Sequence, residues 1–256
     1  MKFRPCIDIH NGIVKQIVGG SLNKDSSKAR ENFVAKQSAK HYAKMYKKDG
    51  LTGGHIIMLN SLDSPAYKET KAQAIKALKA YPNSMQVGGG INDRTAAEFI
   101  RAGATHVIVT SFVFFQGRIK YENLEKLVDA VGADNIVLDL SCRKKGDDYY
   151  VVTDRWQNFT EEKVGPELFE KLENYCDEFL VHGVDAEGKK SGMDEELVKI
   201  LAKYEGKPIT YAGGIHKLEQ IDILKEASDG KLDFTIGSAL DIFGGNLAYE
   251  DVKKYK

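Results

Sequence analysis

The chain has 256 residues, with Lys plus Arg and Asp plus Glu equal at 37 each, so its formal net charge is zero. There is no overall basic field to hold a duplex nucleic acid, and no apolar run approaches the roughly 20 residues of a membrane span. The three cysteines, Cys6, Cys142 and Cys176, are too few and too scattered for a disulfide framework or a zinc site, which fits a reducing, cytoplasmic setting. The opening Met1-Lys2-Phe3-Arg4-Pro5 carries no signal-peptide pattern and heads straight into a strand.

The first predicted strand covers residues 3–9 and leads through Cys6-Ile7 to a carboxylate, Asp8, with Ile9 and His10 after it. A long polar segment follows, through Gly12, Gly19, Gly20 and Ser21 to Lys28. Its length and glycines predict a mobile active-site loop. Ala35, Ala39, Tyr42 and Tyr46 fall at helical spacing, and Gly50, Gly53 and Gly54 end that helix. His55-Ile56-Ile57-Met58-Leu59-Asn60 is a second strand, and Pro65 opens a second helix that buries Ile75 and Leu78. A third strand, residues 85–87, runs into Gly88-Gly89-Gly90-Ile91 and then Asn92-Asp93-Arg94. Asn92 or Asp93 can cap the helix predicted over 93–102. Glycines allow backbone amides to approach a ligand, and a helix N-terminus favours an anion.

A fourth strand, residues 106–111, ends in Thr110 and Ser111, and Leu124, Leu127, Val128 and Val131 mark the next helix. The fifth strand, residues 136–140, carries Asp139 near its end. A hairpin-like insertion follows, with a turn over 143–146 and a β-prone return over 149–152 leading to Trp156. Leu168, Leu172 and Tyr175 belong to the fifth helix, and residues 178–182 form a sixth strand ending at His182. A second glycine-rich loop spans 183–192 and contains Asp185 and Glu187. The seventh strand echoes the third: Thr210-Tyr211-Ala212 runs into Gly213-Gly214-Ile215. The last strand, residues 232–236, opens onto Gly237-Ser238-Ala239-Leu240.

With a sixth helix at Leu197, Ile200 and Leu201, a seventh at Ile221 and Leu224 and a last one near Leu247 to Tyr255, strand and helix alternate eight times, and the strands are mostly continuous apolar runs, as a parallel sheet requires. The predicted fold is a single (β/α)8 barrel over residues 1–256, with its chemistry at the C-terminal strand ends. The two halves repeat one pattern. Asp8 and Asp139 end strands one and five, glycine turns follow strands three and seven, and hydroxyls follow strands four and eight. Taken singly, a strand-end aspartate is as readily a turn former or helix cap. The symmetric pair, with an anion cradle at Gly89, Gly90 and Ser111 and another at Gly213, Gly214, Gly237 and Ser238, suits an elongated small molecule with a phosphate at each end. His55 and His106 start strands and are expected to be structural. His10, His41 and His216 lack metal-ligand spacing, Cys6 is expected to be a small buried hydrophobe, and no metal constellation is predicted.

The Pro5-Cys6-Ile7-Asp8-Ile9 opening, the Gly88 turn, Leu138-Asp139, Gly213-Gly214-Ile215 and Gly237-Ser238-Ala239-Leu240 together resemble the phosphoribosylformimino-aminoimidazole carboxamide ribotide isomerases of histidine biosynthesis. Val14 to Gly20 and the His55 strand are most similar to the fungal and plant branch. The resemblance implies a cofactor-free barrel that converts a ribosyl aminoaldose into an aminoketose by an Amadori rearrangement, and the chain is expected to act as a monomer. It implies Asp8 as base, Asp139 as acid and Trp156 as the ring that stacks on the imidazole carboxamide. Two carboxylates in different protonation states can divide those roles. The commoner bacterial pattern has arginine, aspartate and threonine where this chain has Asn92, Met58 and His182. His182, beside strand five, is expected to be neutral and to orient Asp139 by one hydrogen bond. Two rivals remain. The sister cyclase that makes imidazole glycerol phosphate shares both aspartates but has a lysine where this chain has Gln16. A non-catalytic barrel that senses a sugar phosphate would not need both carboxylates.

Overall fold

The structure, a computed structural model, describes residues 1–17, 31–153, 156–186 and 192–256. Most of the predicted active-site loop, and Glu187 of the second glycine-rich loop, lie outside the described residues.

Eight parallel strands form the centre: β1 (Cys6–His10), β2 (Gly54–Met58), β3 (Met85–Gly88), β4 (Ala104–Val109), β5 (Ile136–Asp139), β6 (Glu178–His182), β7 (Ile209–Ala212) and β8 (Asp233–Thr235). They are hydrogen-bonded in chain order from β1 to β8. Phe3 and Phe234 form a parallel bridge. There the Arg4 amide donates to the Phe234 carbonyl at 2.7 Å and the Phe234 amide to the Lys2 carbonyl at 3.0 Å. This seam returns β8 to the entry of β1 and closes the predicted (β/α)8 ring.

Alternation along the strands separates two apolar layers. Ile7, Ile56, Val87, Val107, Leu138, Phe179 and Tyr211 belong to the large cluster shared with the helices. Ile57, Ile108, Val137, Leu180 and Ala212, each one residue out of step, form a separate small cluster inside the ring. Full burial of a Val, Leu or Ile side chain is worth roughly 1.5–3 kcal/mol. Below that inner cluster, the buried Glu178 carboxylate accepts from Gln86 Nε2 at 2.7 Å and Thr210 Oγ1 at 2.6 Å, so the polar floor of the barrel is satisfied.

The helices pack outside: α1 (Ala39–Asp49), α2 (Tyr67–Ala80), α3 (Ala96–Arg101), α4 (Tyr121–Val131), α5 (Pro166–Leu172), α6 (Glu195–Leu201), α7 (Leu218–Ala227) and α8 (Tyr249–Val252). In α1 the buried residues Ala39, Tyr42, Ala43 and Tyr46 make one helical stripe, and Gly50 stops the helix at φ 69°. The helix predicted from residue 93 begins at Ala96, because the first turn is spent on a cap. Asn92 Oδ1 accepts from the Arg94 and Thr95 amides at 3.0 and 3.1 Å. Among the described residues, no helix is long and apolar enough to cross a membrane.

Two excursions leave the strand ends. After β1 the chain turns back at once as an antiparallel strand, Ile13–Ile17, which pairs with β1 and with Glu31–Val34. The sequence predicts a mobile active-site loop from Gly12 onward, whereas its first described part, Ile13–Ile17, is a strand that carries Lys15 and Gln16. Both are buried, with Lys15 paired to Glu31 and Gln16 turned to Asp8. After β5 the predicted hairpin forms from Cys142–Lys145 and Asp148–Thr153, and a third strand, Asn158–Lys163, completes a small antiparallel sheet.

Candidate active site

Asp8 stands on β1, two residues beyond Cys6, and pairs in register with Ile57 of β2. The strand that folds back over β1 brings Gln16 to it, and Gln16 Nε2 donates to Asp8 Oδ2 at 3.0 Å. Four strands away around the ring, β5 ends in Asp139. The Ser141 amide and hydroxyl both donate to Asp139 Oδ1, at 3.0 and 2.8 Å. Asp8 and Asp139 line the same cavity, of about 310 Å3, at the C-terminal ends of the strands. Neither hydrogen-bonding residue was singled out by the sequence as a partner. The available signal for Ser141 was a hydroxyl two residues past an aspartate, the spacing of a local side-chain turn.

The other predicted residues divide into two groups. Trp156, His182, Gly213, Gly214, Gly237 and Ser238 all line the cavity with the two aspartates. Trp156 sits at φ 68° in the turn of the small sheet, and its ring centroid is 5.4 Å from that of His182. The described hydrogen bonds on Asp139 come from Ser141, and the described ring contact of His182 is to Trp156. Gly89 and Gly90 are not among the described residues lining the cavity, and Ser111 is exposed and lines a separate groove with Gln116, Thr153 and Gln157. The turn that carries Trp156 into the cavity therefore carries Gln157 into the groove.

The strand-seven turn is built so that only glycine fits. Gly214 has φ 75°, and a Cβ there would lie 2.0 Å from the Gly192 carbonyl oxygen. His216 Nδ1 donates to the Gly214 carbonyl at 2.9 Å and holds the turn from the other side. After β8, the Leu240 amide returns to the Gly237 carbonyl at 3.0 Å. A Cβ on Gly237 would meet Gln16 Oε1 at 2.5 Å, so this glycine also makes room for the side chain that holds Asp8.

Met58, which ends β2, is buried in the core, while its neighbours Ile57 and Leu59 face the cavity. His106 is structural as expected, with Nε2 at 3.3 Å from Asp177 Oδ2. His55 lines the cavity, and the parallel register sets it opposite Cys6. Ligand atoms of Cys6, Asp8 and His55 all lie within 4.8 Å of one another. The sequence could not show this grouping, because it joins two strands through their register and not through a spacing along the chain.

Residues 2–247 match the family model of the histidine biosynthesis proteins, a stretch that contains all eight strands and both aspartates. The chain belongs to this family. Similar members include a protein of Medicago truncatula, 52% identical over 98% of this chain and 80% of its own length. It is named a 1-(5-phosphoribosyl)-5-((5-phosphoribosylamino)methylideneamino)imidazole-4-carboxamide isomerase, chloroplastic. Proteins of the same isomerase name from Neurospora crassa and Saccharomyces cerevisiae are 46% and 42% identical, over 95% and 98% of this chain and 93% and 96% of theirs. The fungal and plant likeness expected from the sequence is thus shown, and with it the isomerase branch of the histidine biosynthesis family.

Proposed function

We propose that this chain, acting as one barrel domain over residues 1–256, is the histidine-biosynthesis isomerase that converts the bis-phosphorylated ribosyl aminoaldose into its aminoketose. The observation that carries the reading is that Asp8 and Asp139, on opposite sides of the ring, line a single cavity. An Amadori rearrangement needs a proton delivered to the ribose ring oxygen as the ring opens, and a proton removed from C2′. Asp139 delivers the first and Asp8 takes the second. The resulting enolamine then tautomerises to the ketone. Gln16 and Ser141 hold the two carboxylates in place.

One phosphate is assigned to the turns at Gly213, Gly214, Gly237 and Ser238. The other is proposed at the turns of Gly89, Gly90 and Ser111, which stand outside the described cavity lining, and the Trp156 ring is proposed to stack on the imidazole carboxamide. Glycine turns at strand ends permit anion binding through backbone amides. Gln16, bound to Asp8, occupies the position where the cyclase pattern has its lysine, which disfavours cyclase chemistry. All three cysteines are buried thiols outside any disulfide, which supports a reducing compartment as the place of action, and the enzyme is taken to work as a monomer.

The test is turnover of the aminoaldose by purified protein, followed as ketose formation. Asp8→Asn and Asp139→Asn should each lower kcat by about 10²–10⁴-fold, the usual worth of one proton-transfer group, with unchanged circular dichroism. Retention of wild-type turnover by either variant would overturn the assignment.

A further inference from the structure

We propose that Cys6, Asp8 and His55 form a binding site for a soft divalent cation, Zn2+ in particular, on the floor of the cavity. Occupation of this site arrests the isomerase. Register creates the site. Parallel pairing of β1 with β2 sets Cys6 opposite His55, and Asp8 follows two residues on, on the same inner face. The thiol sulfur, a carboxylate oxygen and an imidazole nitrogen lie within 4.8 Å of one another.

The donor set selects the metal. Thiolate, imidazole and carboxylate are the three ligand types Zn2+ takes, whereas Mg2+ and Ca2+ require shells of oxygen. Zinc bonds of about 2.0–2.3 Å in tetrahedral geometry put ligand atoms roughly 3.4–3.6 Å apart. The three side chains therefore need to draw together by about 1 Å, which small torsional changes supply.

Burial sets the direction of access. Cys6 and His55 are only 4% and 6% exposed, while Asp8 is half-buried, and all three line the cavity. Three protein ligands leave the fourth position toward the cavity, the arrangement of an open site and not of a closed structural one. The Cys6 thiol is 3.6 Å from the Ile236 carbonyl, to which it donates. On metal binding it releases that proton to solvent and turns its sulfur to the cation. Gln16, at 3.0 Å from Asp8 Oδ2, can keep the carboxylate oriented from the second coordination layer.

The functional consequence rests on the reading of Asp8 as the base. A carboxylate bound to zinc cannot accept the C2′ proton, and the cation occupies space the substrate needs. Zinc should then inhibit, substrate should protect, and a chelator should restore full turnover.

The experiment is titration of chelator-treated enzyme with Co2+, a spectroscopically visible stand-in for Zn2+. One equivalent should produce a thiolate-to-cobalt charge-transfer band that Zn2+ abolishes by displacement. Cys6→Ser should lose the band. Cys142→Ser and Cys176→Ser should keep it, since neither sulfur belongs to the described group of ligand atoms within 4.8 Å of one another. If Cys6→Ser folds poorly, His55→Gln provides the second readout and should weaken cobalt binding while sparing Cys6. Absence of any band in the wild type, or a band that survives Cys6→Ser, would overturn the site. A cobalt band with no zinc inhibition would keep the site and overturn its effect on catalysis. Loss of activity in Asp8→Asn is a separate observation that tests the base assignment alone.

Discussion

Ser141 turns its amide and its hydroxyl onto the same oxygen of Asp139, at 3.0 and 2.8 Å. Both donors are local, both are neutral, and both act on a side chain at the mouth of the barrel. The carboxyl is thereby fixed in rotation before any substrate enters, which is the preorganisation a proton-transfer group needs.

Ser141→Ala should therefore lower kcat by about tenfold with little change in KM, the loss of one hydrogen bond that strengthens as Asp139 gives up its proton and becomes a carboxylate, roughly 1.5 kcal/mol. Ser141→Thr should recover most of it. Steady-state kinetics of the two variants decide the matter, and a purely structural serine would show its loss in thermal stability without this split.

His182 and Trp156 form an aromatic pair at the cavity wall. Such pairs are worth about 0.5–1.5 kcal/mol beyond area burial, so His182→Ala should free the indole and raise KM about 2–10-fold. His182→Thr should keep substantial activity, because the bacterial pattern places threonine there. Equal kinetic constants for His182→Ala and wild type would remove this residue from the site.

Gly214 resists replacement on two counts, its φ of 75° and the Gly192 carbonyl oxygen, which would stand 2.0 Å from any added Cβ. Gly214→Ala should distort the turn assigned to one phosphate. An increase in KM of about tenfold or more, from strain of roughly 1–3 kcal/mol, is expected. Binding of inorganic phosphate, measured by calorimetry, should weaken in parallel. Undiminished phosphate binding would place the anion elsewhere.

Asp49 ties α1 to α8, accepting from the Tyr249 hydroxyl at 2.8 Å and Lys253 Nζ at 3.1 Å. Burial pushes its carboxyl up, but these two donors outweigh that and hold it below the ordinary carboxylate value. A lowered folded-state pKa contributes stability that is fully present above the unfolded value near 3.9. It is lost as pH falls through the folded value. Thermal unfolding across about pH 6 to pH 2 should show a shallower acid decline for Asp49→Asn than for wild type. Parallel curves would show that the contact carries no such stability.

The barrel was legible because its strands are mostly apolar runs, several of them ended by glycine or aspartate, and because Gly50, Asn92 and Gly214 mark turns by their own backbone chemistry. The carboxylate pair followed from the twofold repeat. Less legible was everything decided by register. Gln16 reaches Asp8 only because a polar stretch folds back as a strand, and His55 reaches Cys6 only because β1 and β2 pair as they do. The sequence likewise showed a hairpin after Asp139 but not the third strand, since Asn158–Lys163 is mostly polar and exposed and carries no apolar alternation.

The ring of strands has one thin place. Between β8 and β1 the described ladder is a single bridge at Phe3 and Phe234, backed by the Arg4 guanidinium on Asp233 at 2.8 Å. Just above it, Cys6 meets the Ile236 carbonyl through sulfur, and Gln16 crosses beside Gly237. The barrel should therefore breathe at this joint before any other, and amide exchange should be fastest there among the eight strands. Asp8 and the Gly237 turn lie on the two edges of that joint. A slight parting of the wall would widen the path for a long, doubly charged molecule without unfolding any helix.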